Sequence, residues 1–132
     1  MKAKCIISAG VMFIMAWGLS FVVHGLLLGG DYAATPGMRP PADAQKIIGW
    51  LILAQAFFGV AFAWIYVQGK EDKPWLAQGV RFGIAVAFLT VIPTYLIYHV
   101  VTPVPLVLAL KQIVFDTVRV VLMGIVLAWI NR

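Results

Sequence analysis

The chain has 132 residues, of which 63% are hydrophobic and 11% charged, and it carries a formal net charge of +5. Mean hydropathy is +0.98, whereas a soluble domain carries about a quarter charged residues, so the composition excludes a soluble globular protein and describes an integral membrane one. At roughly 20 apolar residues per span the length allows four helices with short connections, a single transmembrane domain over 1–132 with no separate soluble part.

The first apolar run, at about 5–29, follows Lys2 and Lys4. It is longer than a secretory signal core and lacks a small-residue cleavage pattern, so it reads as a retained span. An outer loop follows, with Pro36, Gly37, Pro40 and Pro41; Asp43 stands where an N-cap belongs, and Asp31, Tyr32 and Arg39 are the makings of a short ordered lid. The second span is expected at 44–67. A charged turn from Gly69 ends at Pro74, which opens a third span at 75–100, and a Pro-x-Pro corner, Thr102 to Pro105, leads into the fourth at 106–130. Each run is long enough for a hydrocarbon core of roughly 30 Å. The expected fold is all-α, an integral membrane four-helix up-down bundle.

Basic residues set the orientation. With both termini cytoplasmic, the inner side holds Lys2, Lys4, Lys70, Lys73, Arg81 and Arg132, and the outer side Arg39, Lys46 and Lys111, which satisfies the positive-inside bias. The net charge is thereby a topological signal, and no basic stripe interleaved with exposed aromatics marks a nucleic-acid surface. Cys5 is the one cysteine, so an intramolecular disulfide, a Cys-x-x-Cys pair and a thiolate-rich metal site are excluded.

The most informative residues are polar ones inside the spans, where charge is expensive and faces a protein interior, a wet cavity or a partner. Lys111, Gln112, Asp116 and Arg119 form a stripe of about 140° on the fourth helix, and Asp116 and Arg119 can pair at i,i+3. On a straight-helix ruler Ser20, Gln55, Thr90 and Asp116 share a layer roughly 13 to 17 Å below the outer surface. His24, Thr94, Tyr95 and Lys111 form a second layer nearer that surface, with Tyr98 and His99 above it. Three readings stay open: mutual neutralisation inside the bundle, contact with another subunit, or a path for an ion or proton. No metal site is expected. His24 and His99 are of the type that ligates haem, and a histidine beside Tyr95 or Tyr98 can hydrogen-bond a quinone carbonyl, although their spacing is not specific.

On the third span Gly79-x-x-x-Gly83, continued by Ala87, permits close backbone approach, within the bundle or between copies. Pro93 frees the carbonyl of Leu89 and calls for a bend, and Arg81 is expected to reach lipid phosphates rather than serve a reaction. Trp50, Trp64, Tyr66, Trp75, Tyr98 and Trp129 fall near the interfaces, where such rings anchor spans.

His24-Gly25-Leu26-Leu27 followed by Tyr32, with Gly79-x-Arg81-Phe82-Gly83 leading into Pro93-x-Tyr95, resembles a group of small bacterial four-helix inner-membrane proteins of unassigned function. The resemblance implies membrane location and topology and transfers no catalytic residue. With no catalytic constellation and little mass outside the membrane, the expectation is a non-catalytic accessory or structural subunit of a larger membrane complex in a bacterial inner membrane. Its partners would be the bilayer and other membrane subunits or itself. The alternatives are a small homo-oligomeric transporter or channel using the fourth-helix stripe, and a haem- or quinone-binding protein.

Overall fold

The structure is a computed structural model describing Lys2 to Arg132, and among these residues every regular element is helical. Four helices are long and apolar enough to cross a membrane: Lys2–Leu27, Ile48–Gly69, Trp75–Val101 and Leu106–Ile130. The first is α1 (Lys2–Ser20), continued by a π-helical turn over Phe21–Leu27. The chain bends at Leu28 into α2 (Gly29–Ala33), then α3 (Pro41–Lys46) precedes the second span, α4 (Ile48–Gly69). The third span is α5 (Trp75–Val86), a second π turn over Ala87–Val91, and α6 (Ile92–Val101); α7 (Leu106–Ile130) is the fourth.

Two boundaries depart from the pattern read in the sequence. Pro40 and Pro41 start the separate short helix α3, so Asp43 lies in its first turn, pairs with Lys46 at 3.2 Å and does not cap the second span. The break at Ile47 then delays that span to Ile48. The bend expected from Pro93 takes the form of the π turn. Pro93 lacks an N–H and its ring crowds the carbonyl of Leu89, and the wider turn contains Leu89.

The spans associate as two tight pairs. In lipid, helices gain little from excluding water, so close backbone approach and polar contacts decide which faces meet. Gly59 of α4 lies on α1 so closely that a Cβ there would stand 2.6 Å from the Phe13 amide nitrogen. Gly79 and Gly83 of α5 lie on α7 in the same way: a Cβ at Gly79 would come 2.6 Å from the carbonyl oxygen of Gly124, and one at Gly83 2.5 Å from Cα of Val121. The small-residue ridge, with Ala87 buried beside it, is therefore used within the chain.

The pairs α1/α4 and α5–α6/α7 meet along a seam where α1 packs on α7. Its lower half is apolar: Met12, Ala16, Val120, Met123 and Leu127 are fully buried. Phe82 of α5 adds edge-on contacts to Phe62 and Tyr66 of α4, with ring centroids 4.7 and 5.3 Å apart. At the end carrying the termini, Asn131 donates to the Ser8 hydroxyl at 2.9 Å, and Lys70 donates to the Asn131 carbonyl at 3.0 Å. The outward faces carry exposed Trp50, Phe57, Phe88, Leu89 and Val100, the surface that lipid covers.

Candidate functional site

The upper half of the seam is polar, and its centre is Asp116. Position 116 falls on the buried side of α7 with Gln112 and Val120, a four-residue ridge, and Asp116 is 2% exposed. His24 Nε2 lies 3.0 Å from Asp116 Oδ2, and the Tyr95 hydroxyl donates to the same oxygen while standing 3.2 Å from His24 Nε2. On the other side Arg119 Nε is 3.1 Å from Asp116 Oδ1, a charge contact without hydrogen-bond alignment, since neither atom has a hydrogen-bond partner.

Arg119 is tied further into the first pair. Its Nη1 donates to the Ala16 carbonyl at 3.2 Å and to Gln55 Oε1 at 3.4 Å, and its guanidinium lies 5.4 Å from the centre of the Phe58 ring. Gln55 in turn donates to the Ser20 hydroxyl at 3.3 Å. The anion and the guanidinium balance each other, as burial in a low-dielectric interior requires.

Towards the end opposite the termini, the network runs through α2. The bend at Leu28, whose side chain is buried against Val23, Val104 and Leu108, turns α2 back over the helix ends. Tyr32 is thereby brought to His24, with its hydroxyl 2.5 Å from Nδ1, and Gln112 Nε2 donates to that hydroxyl at 3.0 Å. Asp31, beside it, pairs with Lys111 at 3.0 Å at the partly exposed rim. Burial is the main reason the Tyr32 phenol titrates above its ordinary range; the charges of Asp116 and Asp31 add to this, and the Gln112 hydrogen bond opposes it.

Gln112 donates to the Tyr32 oxygen; with the His24 proton on Nε2, that nitrogen donates to Asp116 and the Tyr32 O–H donates to Nδ1. Gln112 Oε1 is buried and has no hydrogen-bond partner.

The structure therefore joins the two layers expected from the sequence. Asp116 belongs with His24 and Tyr95, and it is Arg119 that reaches the Ser20–Gln55 level. Lys111, Gln112, Asp116 and Arg119 all take part. Thr90 does not join them: its hydroxyl donates to the Val86 carbonyl one turn back. His99 is also separate, its Nδ1 bonding the Val104 carbonyl at 2.7 Å and holding the Pro-x-Pro corner. The two histidines thus perform different tasks, and an axial bond from His24 to a metal would displace Tyr32 or Asp116. Tyr32 and Asp31, expected in the sequence only as parts of a loop lid, and Gly124, with no role expected from the sequence, are site or packing residues. The adjacent acid and phenol in the outer loop, and a glycine on α7 opposite Gly79-x-x-x-Gly83, were the signals for them.

The links from His24 and Tyr95 to each other, from His24 to Asp116, from Tyr32 to Gln112, from Asp31 to Lys111, and from Arg119 to Ala16 and Gln55 all cross from one helix pair to the other. No known protein family, curated protein or solved structure matches the chain.

Proposed function

We propose that this chain is a small proton-linked transporter of a bacterial inner membrane, an up-down bundle with both termini cytoplasmic, working through the His24–Asp116 cluster. One observation carries the reading: a buried imidazole and carboxylate in contact at the seam between two tight helix pairs, linked through Tyr32 and Gln112 towards an outer rim. Intramembrane ionisable groups of this kind mark proton relays and substrate paths.

In this reading His24 takes up the proton and Asp116 is the fixed anion beside it. A proton on Nδ1 reverses the bond to Tyr32, whose O–H must then find another acceptor. The unpartnered Gln112 Oε1 is the atom that a turn of the amide would present. The cluster gains one positive charge beside Arg119: the His24–Asp116 contact becomes charge-assisted, and the rearrangement falls on the Tyr32–Gln112 link towards the rim. Below Arg119 the seam is closed by Met12, Val120 and Met123, which supports stepwise access from one side rather than an open channel.

The test is proton flux into proteoliposomes under an imposed potassium potential. Wild type should exceed protein-free vesicles and Asp116→Asn should abolish the excess; no flux in wild type, or unchanged flux in the variant, removes the reading. The role as a non-catalytic accessory subunit draws on the scarcity of mass outside the membrane, because the polar stripe and the glycine ridge are both used inside the chain. Migration in a large complex on a native gel, with unrelated subunits in fixed ratio, would favour it.

A further inference from the structure

At the end of the molecule that carries the termini, the connection between α4 and α5 leaves a recess of about 380 Å³, remote from the His24–Asp116 cluster. Lys70, Lys73 and Arg81 line it together with one carboxylate, Glu71, and Tyr66 and Phe82 form its apolar side. Glu71 is already engaged by Lys73, which holds its carboxyl below the usual range, with Arg81 adding to the pull. Three cations thus face one acid. Gln78 does not offset them, because its amide is used on the backbone of Glu71 and Lys73.

Arg81 is the decisive member. It lies six positions into the third span after Trp75, about 9 Å along the axis, and among the described residues no carboxylate comes within ion-pair distance of it. Asp116, deeper in the membrane, has Arg119, and Lys111 has Asp31. A cation at that depth needs an anion, and snorkelling brings an arginine to the level of lipid phosphates. The recess also opens beside apolar membrane surface at Ile65, which is 50% exposed, so a ligand here meets cations at its head and hydrocarbon below.

We infer that this recess is a binding site for an anionic phospholipid of the leaflet on the side of the termini, its headgroup held by Arg81, Lys70 and Lys73 and its chains lying along Phe82 and Ile65.

The experiment is native mass spectrometry of the full chain in neutral detergent, titrated with phosphatidylglycerol and, separately, with phosphatidylcholine. Phosphatidylglycerol should bind tighter by about fivefold for each cation engaged. Arg81→Gln, on an exposed side chain, should lower the preference about fivefold, and Arg39→Gln in the outer loop should leave it unchanged. Should Arg81→Gln fail to fold, Lys70→Gln carries the same expectation. Equal binding of the two lipids, or a preference untouched by either recess variant, overturns the inference. Displacement of phosphatidylglycerol by millimolar inorganic phosphate would also overturn it, leaving a site for free anions.

Discussion

His24 and Asp116, 92 positions apart, meet at 3.0 Å between Nε2 and Oδ2, and each belongs to a different helix pair. Their contact makes the polar cluster a fastening between two halves as well as a site. The strength of that fastening depends on charge balance, because Asp116 is the carboxylate that Arg119 faces inside the membrane.

Removing the anion alone should accordingly be costly. Asp116→Asn leaves the Arg119 guanidinium buried without its counter-ion, a loss of about 3 to 5 kcal/mol in systems where one partner of a buried pair is removed. Replacing both, Asp116→Asn with Arg119→Gln, should recover a substantial part of this. Reversible unfolding in mixed micelles would measure both variants, and a double variant no more stable than the single one would contradict the charge-balance account.

Close packing within the second pair gives a sharper stability test. Gly79→Ala or Gly124→Ala places a methyl group against backbone of the facing helix, where neither side can yield by rotating a side chain. The expected loss is about 1 to 3 kcal/mol, the range for overpacking. Gly18→Ala is the control: a Cβ there meets nothing within 4 Å, and alanine in a helix should stabilise by about 0.5 to 1 kcal/mol. The same unfolding assay reads all three.

The Tyr32 phenol should impose a pH dependence of its own in alkaline solution. Its phenol titrates higher in the folded chain than its ordinary value of 10.0, mainly through burial, so the fold favours the protonated form. The stability this contributes is complete below pH 10.0 and is lost as pH rises through the folded value. Tyr32→Phe should therefore lack this contribution, and its gap to wild type should change in favour of the variant above pH 10.0. A gap that stays constant through the alkaline range would contradict this account.

Orientation can be read from the one cysteine. Cys5 is exposed in the first turns of α1, near the end of the molecule that carries Asn131. A membrane-impermeant maleimide should label it in inverted vesicles and leave it unlabelled in right-side-out ones; the opposite result would invert the proposed topology.

Much of the helical framework was legible because lipid demands long apolar runs and the breakers between them are proline, glycine and charge. The second span was read too early because Asp43 resembles a cap, while the Pro40–Pro41 pair gives the chain a helix start of its own. The site was legible only in its parts. His24, Tyr95, Asp116 and Arg119 were all candidates, yet a ruler of regular turns put Asp116 level with Ser20 rather than with His24. Two π turns, one around His24 and one just before Tyr95, alter the rise and rotation that such a ruler assumes. Tyr32 was harder still, since it reaches the cluster only after the bend at Leu28. The stripe on α7 carries no mark in its residue types of which helix it faces, and the Arg119 bonds to Ala16 and Gln55 are visible only in three dimensions.

The π turn at Phe21–Leu27 gives the first span slack in its winding. A π turn holds about one residue more than the α turn it replaces. Deleting a single residue such as Val22 would thus be absorbed by ordinary helix, without shortening the span below what a bilayer needs. The deletion would leave the lower, apolar seam unmoved and swing Asp31 and Tyr32 by about 100° around the axis, away from Lys111 and Gln112. Residue count within one turn, together with His24 inside it, keeps the loop after the first span aligned with the last helix.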